Sequence, residues 1–225
     1  MTTPRRIWVT RTQPQAEATA KRVRDLGHYP VVAPALEIQP IVDALIDLND
    51  IDALAFTSAN GVVAFAALSD VRALPVFTVG DATAAAASAA GFTDVRSAKG
   101  DVHALADLVV QAPNPNRVLH PGALEPAADL PALLAERGVE ARHVAIYRTV
   151  ETALAAPPAD IDTVLIHSPR AGRAAARLLR GVDASTLTLL AISQAAAAPL
   201  AGAAVHAILV APFPDESALL NLLQA

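Results

Sequence analysis

Short apolar runs alternate along the chain with longer stretches of helical character. The runs include IWVTR (7–11), LAF (54–56) and VFTV (76–79), and the helical stretches after the first and third end near Gly27 and Gly91. Regular alternation of strands and helices is typical of α/β proteins with parallel sheets. The pattern therefore predicts an α/β fold in which parallel sheets carry helices on both faces.

The same blocks of sequence occur twice. RIWV (6–9) aligns with RVLH (117–120), and DALAFTS (52–58) aligns with DTVLIHS (162–168), at offsets of 111 and 110 residues. LGHYPVV, FTVGDATA and GDVHALADL have counterparts at similar offsets in RGVEARH, LAISQAAA and PDESALLNL. A nearly constant offset predicts two copies of one α/β unit. Two extended segments, PALEIQPI and IYRTVET, lie within the copies and are candidates for strands that pass between domains.

Four strand-to-helix corners carry small polar residues. A helix leaves its first backbone N–H groups without an internal partner, and its dipole favours an anion at that end. Open α/β sheets also bind ligands at the carboxyl edge of their strands. The small polar side chains at the corners, such as serine, threonine and asparagine, are also the preferred helix N-caps. Plain capping and anion binding therefore both stay open here. The four corners are Thr57–Asn60, Val79–Thr83, His167–Arg170 and Ile192–Gln194.

Composition narrows the classes of function. The chain has no cysteine, which removes disulfides and thiolate chemistry and agrees with a cytoplasmic setting. Its formal net charge of −5 argues against a nucleic-acid binder. No purely apolar stretch reaches the length of a membrane span, and the N-terminal segment lacks the pattern of a secretory signal, so neither membrane insertion nor export is expected.

The common catalytic motifs are missing from the sequence. It contains no GxGxxG, no GxxxxGK[ST] and no GxSxG, so nucleotide cofactors and acyl transfer are unsupported. The six histidines are scattered, and no two have the spacing of metal ligands, so no metal is expected. His120 and His167 lie at apparent strand ends, where they are interpreted as ordinary packed or polar histidines.

Only two tyrosines occur in the chain. Tyr29 precedes Pro30 in a predicted loop and is interpreted as structural. Tyr147 lies in AIYRTVE, within one of the two candidate crossover strands. Its phenol is a candidate proton donor in a cleft, and a strand residue with its hydroxyl in water is the alternative.

Four blocks together resemble the uroporphyrinogen-III synthase family, and the similarity extends from IWVTR to the C-terminal helix. The blocks are, in chain order, DALAFTSANGVVAF, VFTVGDATAAAASAAGF, LLAERGVEARHVAIYRT and DTVLIHSPRAGRAA. The resemblance implies two flavodoxin-like domains joined by two extended strands. The first domain would combine residues 1–37 with 151–225, the second would cover 40–147, and the linkers would be 36–40 and 147–151.

The resemblance also implies an activity. Members of the family close hydroxymethylbilane, a linear tetrapyrrole rich in carboxylates, into a macrocycle. The terminal hydroxyl leaves as water, and ring D is inverted through a spiro intermediate. No cofactor is used. The expected partners are therefore this small molecule and, for hand-over, hydroxymethylbilane synthase, and the expected state is a cytoplasmic monomer.

Residue by residue, Tyr147 matches the tyrosine thought to protonate the leaving hydroxyl. The substrate-binding residues that the resemblance implies are Thr57, Ser58, Asn60, Gly80, Thr83 and Ser168. Two blocks depart from the family pattern. Ser193-Gln194-Ala195-Ala196 replaces Gly-Pro-Thr-Thr, with Gln194 as a compensating amide, and Pro121-Gly122 replaces Arg-Gly.

Two other functions compete with the synthase. One is a non-catalytic relative that kept the fold as a ligand-binding or regulatory module. The other is an unrelated two-domain binding protein of the periplasmic type. Tyr147 together with Ser58, Thr83 and Ser168 favours the enzyme over the non-catalytic relative. The missing signal-peptide pattern and the order of the family blocks argue against the periplasmic type.

Overall fold

The computed structural model describes residues 3–113 and 116–224. The chain divides into two compact units. Unit 1 comprises Met1–Glu37 and Val150–Ala225, and unit 2 comprises Ile38–Thr149. The first two residues and the last residue of the predicted first domain lie outside the described part. No helix of the described residues is long and apolar enough to cross a bilayer.

Unit 2 is built on a six-stranded sheet. Its strands are β3 (Leu36–Pro40), β4 (Ala53–Phe56), β5 (Val76–Thr78), β6 (Val95–Ser97), β7 (Arg117–Ala123) and β8 (Glu140–Glu151). The order across the sheet is β3-β8-β7-β4-β5-β6, and the pairs from β8 to β6 are parallel. The helices of the unit are α2 (Ala59–Leu68), α3 (Asp81–Ala89), α4 (Val102–Gln111) and α5 (Leu130–Ala135).

Strand β4 shows why the sheet is covered on both faces. All four of its residues are buried, and successive side chains of a strand point to opposite faces. Leu54 and Phe56 join one core cluster, and Ala53 and Ala55 join the other. A continuous apolar run of this length is what a parallel strand between two helical layers requires.

Unit 1 has a five-stranded, fully parallel sheet. Its strands are β1 (Arg6–Val9), β2 (Tyr29–Val32), β9 (Thr163–Ile166), β10 (Ala184–Ala191) and β11 (Val205–Val210), in the order β11-β10-β9-β1-β2. Its helices are α1 (Gln15–Asp25), α6 (Pro169–Leu178), the four-residue α7 (Gln194–Ala197) and α8 (Glu216–Asn221). Again Trp8 packs on one face of the sheet, and Ile7 and Val9 pack on the other.

The two sheets share one strand order. Without the edge strand β3, the sheet of unit 2 is ordered β8-β7-β4-β5-β6, which is fifth, fourth, first, second, third when β4 is counted as the first strand. In unit 1, β9, β10, β11, β1 and β2 are counted as first to fifth. The sheet, taken from β2 to β11, then has the same order. The predicted α/β class with parallel sheets and flanking helices is confirmed. The internal repeat stays a prediction, which this correspondence supports.

Two local expectations were wrong. Tyr29 begins β2 instead of lying in a loop. The strand expected to end near His120 continues to Ala123, so His120 lies inside β7. The reason is that β7 pairs with β4 only up to Leu119. Beyond that point β7 pairs with β8 on one side, and the missing N–H of Pro121 is tolerated on the other.

Candidate functional site

Three serines cap the helices that follow sheet strands. Each adopts an extended backbone, and its hydroxyl oxygen accepts a hydrogen bond from the backbone N–H three residues later. The capping interpretation is confirmed for all three. Because the oxygen acts as an acceptor, each hydroxyl still has a proton to donate. The distances are 3.2 Å for Ser58 to Gly61, 3.1 Å for Ser168 to Ala171 and 3.3 Å for Ser193 to Ala196.

Tyr147 meets the first of these serines. Its phenolic oxygen lies 2.9 Å from Ser58 Oγ, and the side chain is only 6% exposed. The register of β7 and β8 shifts between Gly122 and Ala123, and Ala123 then lies opposite Tyr147. The alternative of a phenol in water is therefore wrong. Because Ser58 Oγ already accepts from the α2 backbone, its proton is available to the phenol oxygen.

Thr57, the neighbour of Ser58, contacts a buried histidine. Thr57 Oγ1 lies 3.1 Å from Nε2 of His120, which is fully buried. Burial, together with the nearby His143, lowers the pKa of His120 to about 4, while Asp129 acts in the opposite direction. At pH 7 the imidazole is therefore neutral. Sequence reasoning did not connect the two side chains, which are 63 residues apart.

The corner at Gly80 lies beside the one at Ser58. The N–H of Val79 donates to the carbonyl of Phe56 across 3.1 Å, which extends the pairing of β5 and β4 to the sheet edge. Gly80 caps α3, and a Cβ built on it meets nothing within 4 Å. Thr83 is buried one turn further along, and Asn60 is half-buried in the first turn of α2.

In unit 1, the corners at Ser168 and Ser193 are neighbours in the same way. The N–H of Ile192 donates to the carbonyl of Ile166 across 2.9 Å. Gln194 is exposed as the first residue of α7. The structure thus brings Thr57, Ser58, Gly80 and Tyr147 to one edge of unit 2. It places Ser168, Ser193 and Gln194 at one edge of unit 1.

The same edge of unit 1 contains a carboxylate that sequence reasoning missed and that binds several side chains. Glu216, the first residue of α8, accepts from Thr19, from Arg11 at 3.3 Å and from Arg22 at 3.1 Å. His167 Nε2 lies 3.7 Å away, too far for a hydrogen bond. Burial alone raises the pKa of Glu216, but the hydrogen bond from Thr19 and the charge of Arg11 outweigh it and bring the pKa down to about 2.

This depressed pKa predicts a specific acid sensitivity. Glu216 stabilises the fold fully above the pKa of an unfolded glutamate, and the contribution is lost as the pH falls from about 4.5 towards 2. We expect Glu216→Gln to cost roughly 1–2 kcal/mol near neutral pH, since solvent screens part of the interaction. Urea unfolding between pH 7 and pH 3 should show the gap to wild type closing in acid. The exposed Glu17→Gln is the control, and a gap independent of pH contradicts the prediction.

No metal centre is formed by the described residues, among which no three or more His, Cys, Asp or Glu side chains are grouped to hold an ion. The edges of both sheets instead offer hydroxyls, backbone N–H groups and one buried phenol.

Two parallel α/β units with polar corners at their carboxyl edges define a two-domain, flavodoxin-like protein of the ligand-binding or enzymatic kind. The family model described as "Uroporphyrinogen-III synthase HemD" matches residues 17–221. The chain therefore belongs to the uroporphyrinogen-III synthase family.

Solved structures agree with this assignment at the level of the fold. A uroporphyrinogen-III synthetase from Helicobacter pylori is 17% identical, with 98% of each chain covered and a TM-score of 0.67. A mutant uroporphyrinogen III synthase from the extremely thermophilic bacterium Thermus thermophilus is 16% identical, with 99% of this chain and 96% of that chain covered and a TM-score of 0.52. No curated protein sequence matches at a significant level.

Proposed function

We propose that the protein is an active uroporphyrinogen-III synthase of heme biosynthesis, a cyclising lyase that converts hydroxymethylbilane to uroporphyrinogen III with loss of water. Membership of the family supports the reaction. The observation that carries the proposal is the pair of Tyr147 and Ser58 at the carboxyl edge of unit 2, with their oxygens 2.9 Å apart. It combines a proton donor with a group that can stabilise the donor once it is charged.

Tyr147 is the proposed general acid. The phenol gives its proton to the terminal hydroxyl of the substrate, the carbon–oxygen bond breaks, and water leaves. The phenolate that remains accepts a hydrogen bond from Ser58, whose oxygen is itself held by the Gly61 N–H. A hydrogen bond to the charged form favours that form, so Ser58 lowers the cost of proton release. The proton returns when the closed ring loses one, and only water is lost overall.

The corners are the proposed binding sites for substrate carboxylates. With a net charge of −5, the chain does not attract a polyanion as a whole, so local donors must do so. Helix N-termini and hydroxyl protons are such donors, and they hold an anion without forming a buried ion pair. In unit 2 we assign this role to Thr57, Asn60, Gly80 and Thr83, and to the backbone N–H of Ser58, whose hydroxyl proton serves Tyr147.

Unit 1 supplies the remaining proposed contacts, from Ser168, Ser193 and Gln194. The altered sequence at 193–196 keeps an N-cap hydroxyl on Ser193, and the exposed Gln194 adds an amide donor. Both groups suit a carboxylate in place of the missing threonines. The proposed chemistry is acid catalysis and conformational control, and it needs no cofactor.

Product identity tests the proposal. Hydroxymethylbilane generated in situ is mixed with the protein, the products are oxidised, and the type I and type III uroporphyrin isomers are separated by chromatography. We expect type III, because spontaneous closure without ring inversion gives type I. Type I alone from a folded protein would contradict the activity and favour a non-catalytic relative.

Gly80→Ala separates binding from folding at the second corner. Its φ of −162° is ordinary extended backbone, and the added methyl meets no protein atom within 4 Å, so the fold should tolerate it. If a substrate carboxylate approaches this backbone, the alanine methyl excludes it sterically. KM should then rise roughly three- to tenfold with kcat little changed. Gly202→Ala, which also meets nothing within 4 Å, is the matched control. Equal KM values in both variants and in wild type would remove Gly80 from the site.

We further propose that the enzyme acts as a cytoplasmic monomer that receives its substrate from hydroxymethylbilane synthase. The absence of cysteine is compatible with a reducing compartment. Size-exclusion chromatography with light scattering tests the monomer, and cell fractionation tests the compartment. Chemical cross-linking of the two enzymes during turnover tests the hand-over, and no cross-linked pair at high concentration would contradict it.

A further inference from the structure

A buried histidine contacts Thr57, the residue proposed to donate a hydrogen bond to a substrate carboxylate. His120 is fully buried inside β7, and its Nε2 is 3.1 Å from Thr57 Oγ1. Its other ring nitrogen, Nδ1, is also buried and has no hydrogen-bond partner within residues 3–113 and 116–224. This asymmetry between the two nitrogens decides which one carries the proton.

A neutral imidazole has one N–H and one lone pair, so two arrangements exist. With the proton on Nδ1, a buried N–H would have no acceptor. With the proton on Nε2, the N–H donates to Thr57 Oγ1, and only a lone pair stays unpaired. Buried N–H groups without a partner are rarer in proteins than acceptors without one, so the Nε2–H form is favoured.

The ring has neighbours that keep it in this place. His143 packs against it with ring centroids 5.1 Å apart, and a Cβ on Gly122 would lie 3.2 Å from Nε2 of both rings. Burial and the titratable neighbour His143 lower the pKa of the ring, Asp129 raises it, and the net lowering leaves the ring neutral at pH 7. His120 thus sits at a fixed distance behind Thr57.

We propose that His120 is a positioning residue for substrate binding: its Nε2–H donates to Thr57 Oγ1 and thereby leaves the Thr57 hydroxyl proton free for a carboxylate of the substrate. Thr57 is half-buried and His120 is fully buried, so a ligand at the sheet edge can contact Thr57 but not the imidazole. In the other tautomer, Thr57 would donate its proton inward to His120, and the substrate would meet an acceptor. The histidine thus determines whether the Thr57 hydroxyl donates to the substrate or accepts from it. This role rests on the proposed function.

The tautomer can be measured without any activity. Long-range ¹H–¹⁵N correlation spectra of the ¹⁵N-labelled full chain at pH 7 distinguish the two neutral forms of a histidine, and His120→Gln assigns the signal. We expect the pattern of a ring protonated on Nε2 only. A ring protonated on Nδ1 overturns the proposal even if the protein is a fully active synthase.

Kinetics test the consequence for binding. His120→Leu removes the donor, and we expect KM to rise roughly fivefold with kcat changed less than about twofold. His120→Gln restores an N–H near the position of Nε2 and should recover most of the loss. In a Thr57→Val background, His120→Leu should add little, because the two side chains act through one contact. His143→Leu removes the other ring of the pair and is the control for repacking of the two rings.

The outcomes are distinguishable from failure of the proposed function. An unchanged KM in a folded His120→Leu, or an effect that adds fully to that of Thr57→Val, overturns the positioning role while synthase activity persists. If wild type forms no type III product, the synthase assignment fails, and the spectra still decide the tautomer.

Discussion

Tyr147→Phe should lower kcat for type III product by roughly 10²- to 10³-fold and leave KM within about threefold of wild type. The change removes one oxygen from a side chain that is 6% exposed and leaves the aromatic ring in its core cluster. Loss of a positioned general acid usually costs this much in rate, and substrate binding depends on other groups. The measurement is the rate of type III formation at several substrate concentrations. The share of type I should rise as spontaneous closure overtakes the slowed enzyme.

Tyr29→Phe is the matched control, because the chain has only these two tyrosines. Tyr29 is 62% exposed at the start of β2. The Tyr29→Phe substitution should leave kcat, KM and the isomer ratio unchanged. Ser58→Ala should fall between the two variants, since the phenol keeps its proton but loses a partner for the charged form. A raised KM with wild-type kcat in Tyr147→Phe would mean that the phenol binds substrate and does not act as the acid.

Gly172→Ala should destabilise unit 1 by about 3 kcal/mol, a large share of the stability of an ordinary domain. Gly172 lies in the first turns of α6, and a Cβ there would be 2.4 Å from the carbonyl oxygen of Ala196 in α7. A backbone carbonyl inside a helix cannot rotate away, so α6 and α7 must separate. The better helix propensity of alanine offsets only a part of this cost. Urea unfolding followed by the fluorescence of Trp8, which lies in unit 1, measures the loss.

The same substitution should also weaken substrate binding. Ser193 caps the helix that would be displaced, through its contact with the Ala196 N–H. We therefore expect KM to rise together with the loss of stability. Gly202→Ala adds the same methyl where nothing lies within 4 Å and should change neither quantity. Wild-type stability in Gly172→Ala would show that α7 can move freely.

Local features of this fold could be predicted from sequence. Buried strands such as ALAF at 53–56 are apolar throughout, and their corners carry hydroxyl N-caps at Ser58, Ser168 and Ser193. Both signals depend only on neighbouring residues. Tyr147 is a candidate proton donor from its place in a candidate crossover strand, and the family resemblance gives it the role of the acid. Its burial and its contact with Ser58 required the structure.

Long-range pairings could not be predicted. Glu216 accepts hydrogen bonds from Arg11, Arg22 and Thr19, which are about 200 positions away in sequence. His120 meets Thr57 because β7 and β4 are neighbours in the sheet, an order that apolar patterns do not reveal. Such contacts follow from strand order and register. Glu216 could at most have been noted as a carboxylate in the first turn of a short helix.

The discontinuity of unit 1 has a consequence for synthesis on the ribosome. β1 is made before β9, and Ile7 pairs with Thr163 of β9, which emerges 156 residues later. All of Ile38–Thr149 emerges in between, so unit 2 can be complete while β1 still lacks a neighbour on that side. Domains generally fold as they emerge, and unpaired apolar strands are prone to aggregation. The nascent chain therefore has to protect Ile7, Trp8 and Val9, which are fully buried in the folded protein, until β9 has been translated.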